Sequence, residues 1–251
     1  MLGRISSSTS PIKSAKPIDI VREGLICCYE FSTPGSYSNS AGSTVTDLIG
    51  NSNASLQNSP SYTSPVGQTA GYLQFDGTNQ YLVTQTNLNS KLSPTNTSTV
   101  VSIFVWVYMT DDGVIVSELG QATPNVSWHD SQIERVAGNM KFSVWSNGTG
   151  FSSSIPTSTS IWYYIGITYD GSTLTGYVNG SSAGSAAYSR STPFNIGSTG
   201  LYYALAAADG TNLGDGTYAS CRLGAFHVYN TAISTTQVLS NFNAQRSRYG
   251  V

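Results

Sequence analysis

Residues 100–109 read Val100-Val101-Ser102-Ile103-Phe104-Val105-Trp106-Val107-Tyr108-Met109. Such a density of β-branched and aromatic side chains marks a strand. Successive side chains on a strand point to opposite faces. Ile103, Val105 and Val107 therefore share one face, and Phe104, Trp106 and Tyr108 share the other. Both faces are apolar, so this strand is expected at the centre of a sheet covered on both sides.

Strand signals continue outward from it. Residues 25–31 are the first apolar run. Residues 72–75 and 81–84 flank Asp76-Gly77-Thr78-Asn79 and read as a hairpin. Strands are expected next at 114–119, 140–145 and 162–169. Asp170-Gly171 turns the chain into 174–178, and Asn179-Gly180 turns it again. Asx-Gly pairs supply the positive φ that tight turns need. The small-residue stretch 204–208 leads into a Gly/Asp loop at 209–216, and the last strand is expected at 218–229. One helix is expected, from Ser234 to about Asn243. Ser234 is its N-cap, Gln237 its capping-box partner, and Val238, Leu239 and Phe242 its apolar stripe. The pattern is all-β, with the many short strands and frequent turns of a sandwich or jelly roll.

Composition narrows the function. Only 10% of residues are charged, against about 25% in an average soluble domain. In their place, 109 of 251 residues are Ser, Thr, Asn or Gly. With 39% hydrophobic residues and 16 Tyr, the chain is too apolar to be disordered. Eleven Lys and Arg spread over 251 residues make no phosphate-neutralising patch, so no nucleic-acid partner is expected. No apolar run reaches the roughly 18 residues of a membrane span. The start has no apolar core segment, so no secretory signal is read there.

Charge is uneven. Residues 1–22 carry Arg4, Lys13, Lys16 and Arg22 against Asp19, a net of +3, and residues 23–251 carry −5. The Ser run, Pro11 and Pro17 make 1–22 an extended arm, with one domain over 23–251. The cysteines are Cys27, Cys28 and Cys221. An odd count argues for buried thiols over a disulfide framework, although Cys221 could pair with Cys27 or Cys28 if the first and last strands are neighbours. The two histidines, His129 and His227, are far apart and no Cys-x-x-Cys occurs, so no zinc site is expected.

An ordered set of segments resembles the laminin-G-like branch of the concanavalin A-like lectin/glucanase superfamily. It comprises Gly24-Leu25-Ile26-Cys27-Cys28-Tyr29-Glu30-Phe31, Asp47-Leu48-Ile49-Gly50-Asn51, Phe75-Asp76-Gly77-Thr78-Asn79-Gln80-Tyr81, Ser102 to Tyr108, Trp162-Tyr163 through Tyr177-Val178-Asn179-Gly180, and Leu223-Gly224-Ala225-Phe226-His227-Val228-Tyr229. The resemblance covers about residues 24–245. It implies a jelly-roll sandwich of two antiparallel sheets with one short C-terminal helix. The ending, Val238 to Gly250, is similar to the tail of such domains in structural proteins of tailed phages and other large viruses. That implies a virion component made in the host-cell cytoplasm and carried on the particle surface in capsid, fibre or tail.

Catalytic chemistry is not expected. Retaining glycosidases need two carboxylates about 5 Å apart, and no Glu-x-Asp-x-(x)-Glu strand occurs; the only close pair separated by other residues is Asp130 and Glu134, and Asp111-Asp112-Gly113 reads as a turn. His129-Asp130-Ser131 are consecutive, and a relay needs spatial convergence. A glycoside hydrolase is therefore the third reading, after a virion protein and a carbohydrate-binding adhesin module. Glycan binding needs an aromatic ring beside planar polar groups. The candidates are Trp128, His129 and Asp130 in a stretch between strands, Trp145 and Asn147 at a strand end, and Tyr202 and Tyr203 before the acidic loop. The resemblance also implies a Ca²⁺ at a rim, for which Asp209, Asn212 and Asp215 are the candidate ligands; no cofactor is required. Arg4, Lys13, Lys16 and Arg22 would lay the arm on other virion proteins or on a neighbouring copy in a homo-oligomer.

Overall fold

The structure is a computed structural model, and it describes residues 20–38, 41–67, 69–93, 100–122, 129–144, 150–188, 200–207 and 218–251. In chain order the elements are β1 (Leu25–Glu30), β2 (Thr44–Val45), β3 (Ala54–Gln57), β4 (Ser61–Thr63), β5 (Tyr72–Asp76), β6 (Tyr81–Thr84), α1 (Asn89–Leu92), β7 (Val101–Met109), β8 (Gly113–Leu119) and β9 (His129–Val136). Then come β10 (Asn139–Phe142), β11 (Phe151–Ser152), β12 (Trp162–Tyr169), β13 (Thr173–Val178), β14 (Ser181–Ala187), β15 (Tyr202–Leu205), β16 (Ser220–Tyr229) and α2 (Thr235–Tyr249). They form two eight-stranded antiparallel sheets. The first runs β14-β13-β12-β7-β16-β5-β4, with β1 also paired to β16; the second runs β11-β10-β9-β8-β15-β6-β3-β2.

The both-faced strand sits where its pattern places it. β7 lies between β12 and β16. Val101, Ile103, Val105, Val107 and Met109 enter the core between the sheets. Phe104 and Trp106 enter a second core on the outer face of the first sheet, under α2. Trp162 and Tyr163 divide the same way, Trp162 against the outer core and Tyr163 against the inner one.

The helix α2 begins as expected. The Ser234 side chain accepts from the Gln237 N–H, and the Gln237 side chain accepts from the Ser234 N–H. It runs on to Tyr249, beyond the expected end, and stops at Gly250 with φ 72°. Two polar residues on its buried face, Asn241 and Gln245, interrupt the apolar stripe that would have signalled this length. Leu239, expected in that stripe, is 44% exposed.

Several expectations need correction. Residues 76–80 are not a hairpin turn: β5 belongs to the first sheet and β6 to the second, so the turn crosses between layers. Asp76 accepts from the backbone of Thr78, Asn79 and Gln80 there. The Thr78 N–H leads in holding its carboxyl below the usual range. Residues 129–136 are a strand, β9, not a connecting stretch; the run His-Asp-Ser-Gln conceals a segment paired to β8 through an irregular register. Ile20 is buried and the Val21 N–H donates to Asn241 Oδ1 at 2.8 Å. The last residues of the expected arm are thus part of the domain. All three cysteines are free and buried. Cys27 stands opposite Val228 on β16, seven positions from Cys221, about 23 Å along a strand; no disulfide spans that.

Candidate functional site

Cross-strand register assembles a row that the linear sequence scatters. On the outer face of the first sheet, Gln74 of β5 stands opposite Arg222 of β16. Arg222 stands opposite Tyr108 of β7, and Tyr108 opposite Trp162 of β12. Tyr72, two residues before Gln74, lies on the same face. The Arg222 guanidinium carbon is 4.6 Å from the Tyr108 ring centroid and 5.0 Å from that of Tyr72. Its Nε donates to Gln74 Oε1 at 3.2 Å. The Trp162 ring meets Tyr108 and Tyr72 edge-on at 5.7 and 5.9 Å. Tyr72, Tyr108, Trp162 and Arg222 are half-buried and Gln74 is exposed.

The row ends at the tip of α2. Tyr249 is wholly packed, 4.9 Å from Trp162 and 4.0 Å from Trp106. Gly224 makes room for it, because a Cβ there would come 2.3 Å from the Tyr249 ring. Between Tyr72, Trp162 and the helix end lies a cavity of about 270 Å³, lined also by Thr69, Ala70, Ser247 and Arg248. Among the described residues no carboxylate lines it. Aromatic rings, a fixed guanidinium and an exposed amide beside a cavity can stack a sugar ring and bond its hydroxyls.

Several of the described carboxylates have structural partners. Asp47 accepts from the backbone of Cys28, Ile49, Asn51 and Ser52. Asp170 accepts from Ser172 and Thr173. Asp112 pairs with Arg135, and Glu134 pairs with Lys141. Glu118 is wholly buried and accepts from Tyr203 Oη at 3.0 Å and Gln132 Nε2 at 3.3 Å.

Of the residues expected to bind glycan, Tyr203 is a core side chain with no exposed face, and burial with the adjacent Glu118 charge pushes its hydroxyl pKa well up. Tyr202 is half-buried on the outer face of the second sheet, near Leu119. His129 and Asp130 lie on β9 opposite Leu119 and Glu118. Trp128, Trp145 and Asn147 lie outside the described residues, as do Asp209, Asn212 and Asp215 and the arm residues Arg4, Lys13 and Lys16. Arg22 is exposed beside the first strand. The row Gln74–Arg222–Tyr108–Trp162 was not foreseen; the signal available was an exposed-face polar residue at every second position of 72–76 and 220–222.

Comparison with known proteins agrees with this architecture. The family model described as concanavalin A-like lectin/glucanases superfamily matches residues 76–239. No curated protein matches the chain. Among solved structures, the binding domain of botulinum neurotoxin serotype D/C is similar with TM-score 0.61 and 14% identity, over 88% of this chain and 52% of that one. A Trypanosoma rangeli sialidase is similar with TM-score 0.60 and 10% identity, over 89% and 33%. Domain 4 of a GH43 extracellular arabinanase from Geobacillus stearothermophilus, in complex with arabinotriose, is similar with TM-score 0.58 and 14% identity, over 86% and 97%. The chain thus spans about half of the toxin binding domain and a third of the sialidase, and nearly all of the arabinanase domain. Among the described residues no helix is long and apolar enough to cross a membrane.

Proposed function

The chain belongs to the concanavalin A-like lectin/glucanases superfamily, and we propose that it is a non-enzymatic glycan-binding domain whose contact surface is the Gln74–Arg222–Tyr108–Trp162 row. The observation that carries this reading is the row itself. Half-buried rings and a guanidinium held between two of them stand beside a cavity, on a sheet face where every neighbouring ring is covered. The arabinanase domain, matched over 97% of its length, was seen with arabinotriose, which supports sugar binding by a scaffold of this size. The non-enzymatic part rests on Asp47, Asp76, Asp112 and Glu118, which hold turns, an ion pair or a buried hydroxyl. A glycan array with the full chain, run with and without EDTA, tests the reading: EDTA-insensitive hits support it, and an array without hits defeats it. Turnover of a polysaccharide panel by the same preparation would overturn the non-enzymatic part.

We propose further that the domain is displayed on a virion surface, in capsid, fibre or tail, and docked by its basic N-terminal arm on another virion protein or a second copy. The +3 charge of residues 1–22 against −5 elsewhere supports this. So does a surface rich in Ser, Thr and Asn, which packs without desolvating ions. Because Ile20 and Val21 belong to the fold, the test is removal of residues 1–19. The truncated chain should fold and fail to enter particles; unchanged incorporation contradicts the docking role. An adhesin module outside any particle would show the same glycan hits without assembly.

A further inference from the structure

The outer core holds a second, closed cluster that takes no part in the glycan row. Cys28 and Glu30 are two apart on β1 and so share its outer face. His227 stands directly opposite Cys28 on β16. A ligand atom from each of the three lies within 4.8 Å of the others. All three residues are at most 1% exposed, roofed by α2. His227 Nε2 is 2.7 Å from Glu30 Oε1, and Gln245 Nε2 donates to the same oxygen at 2.6 Å. Trp106 Nε1 in turn donates to Gln245 Oε1.

The ion pair alone leaves this chamber incomplete. His227 Nδ1 is buried without a hydrogen-bond partner. If the imidazole is protonated, a buried N–H⁺ lacks an acceptor; if it is neutral, a buried lone pair lacks a donor. Either is costly, by about 1–3 kcal/mol or more. A closed chamber holding a thiol, a carboxylate and an imidazole within 4.8 Å of one another, with one imidazole nitrogen unpartnered, is not fully satisfied by its own side chains.

We propose that Cys28, Glu30 and His227 supply three donors, with a bound water as the fourth, to a borderline divalent cation of the zinc type. Sulfur, nitrogen and a single carboxylate suit Zn²⁺ and not Ca²⁺, which takes oxygen ligands alone. Zinc donors stand about 3–4 Å apart in a tetrahedral site, so the ion parts the Glu30–His227 contact and draws in the thiol. The charges balance. One proton leaves the thiol, one leaves the histidine–glutamate pair, and a 2+ ion replaces them, so the chamber stays neutral as a buried site requires. Gln245 and Trp106 supply the outer hydrogen bonds that orient a ligating carboxylate. The ion would clasp the first strand to the last, beside the point where Val21 is held by α2.

The full chain, refolded with Zn²⁺ and separately with Co²⁺, tests this. About one equivalent of metal should survive gel filtration, and the Co²⁺ form should show thiolate-to-cobalt charge-transfer absorption with visible four-coordinate bands. Cys28→Ala should lose the charge-transfer band, while Cys221→Ala, whose thiol lies in the core between the sheets, should keep it. A folded wild-type chain that retains no metal from either refolding overturns the site, and that result needs no variant. Metal retained equally by Cys28→Ala overturns it as well. If Cys28→Ala does not fold, Cys28→Ser is read by the same band.

Discussion

The outer face of the first sheet has two halves built on the same strands. β7 and β12 contribute Trp106 and Tyr164 to one half and Tyr108 and Trp162 to the other, as adjacent cross-strand pairs. Over the first half lies α2, with Phe242 and Tyr249 stacked on Trp106 at 5.8 and 4.0 Å. Over Tyr72 and Tyr108 in the second half lies the Arg222 guanidinium. The covered half attaches its roof through polar bonds: Asn241 donates to Tyr229, and Gln245 joins Glu30 to Trp106. The open half spends its polar groups on a guanidinium and an amide that face outward. The same aromatic strand pair thus serves as core where a helix covers it and as the proposed recognition surface where the helix ends. The boundary is set by Gly224, the bulged position of β16 that lets Tyr249 close against the sheet.

Substitutions on the two halves should separate stability from binding. Trp106→Ala should have the largest effect, lowering unfolding free energy in denaturant titrations by about 3–5 kcal/mol, since it empties the stack beneath α2 and orphans Gln245. Gln245→Leu keeps the volume but takes one donor from Glu30 and leaves the Trp106 N–H without its acceptor; a loss of about 2–3 kcal/mol is expected in the same titrations. A loss as small as that of a surface substitution would mean that the polar anchors do not hold the roof. Arg222→Gln on the open half should move stability by under about 1 kcal/mol, the range of a surface cation–π contact. It should weaken glycan affinity about tenfold, or ~1.4 kcal/mol, by calorimetry.

Asp76→Asn, at the edge of the open half, should have the smallest effect. Its carboxyl is held below the usual range chiefly by the Thr78 N–H. Its contribution is therefore present above the unfolded carboxylate pKa of about 3.9 and lost as pH falls through the lower folded value. Wild type should exceed Asp76→Asn by less than about 1 kcal/mol at neutral pH, given the site's exposure. The two should converge in strong acid.

Much of this architecture was legible because its signals are local. The alternation in 100–109 placed β7 at the sheet centre, and Ser234 with Gln237 marked the start of α2. What was not legible depends on pairing between distant segments. Asn241 and Gln245 read as polar interruptions of a helix, and only the presence of Glu30, Trp106 and Tyr229 opposite makes them its anchors. Residues 129–136 lack clean alternation because β9 pairs through register shifts. Residues 76–80 look like a hairpin turn in sequence because turn chemistry does not reveal which sheet each flanking strand joins. The row proposed to bind glycan draws on residues 74, 108, 162 and 222, which no spacing rule connects. Local aromatic density points instead to Tyr203, whose ring fills the core beside Glu118. The Cys28–Glu30–His227 cluster was concealed in the same way, by a zinc expectation framed on spacing within the chain and not across β1 and β16.

The most direct test of the open half as a sugar-binding surface is a titration of wild type and Trp162→Ala with a glycan from the array, each chain first shown folded by its unfolding transition. Affinity lost by tenfold or more in a folded Trp162→Ala, about 1.4 kcal/mol, is the predicted result; equal affinity in the two chains would contradict it.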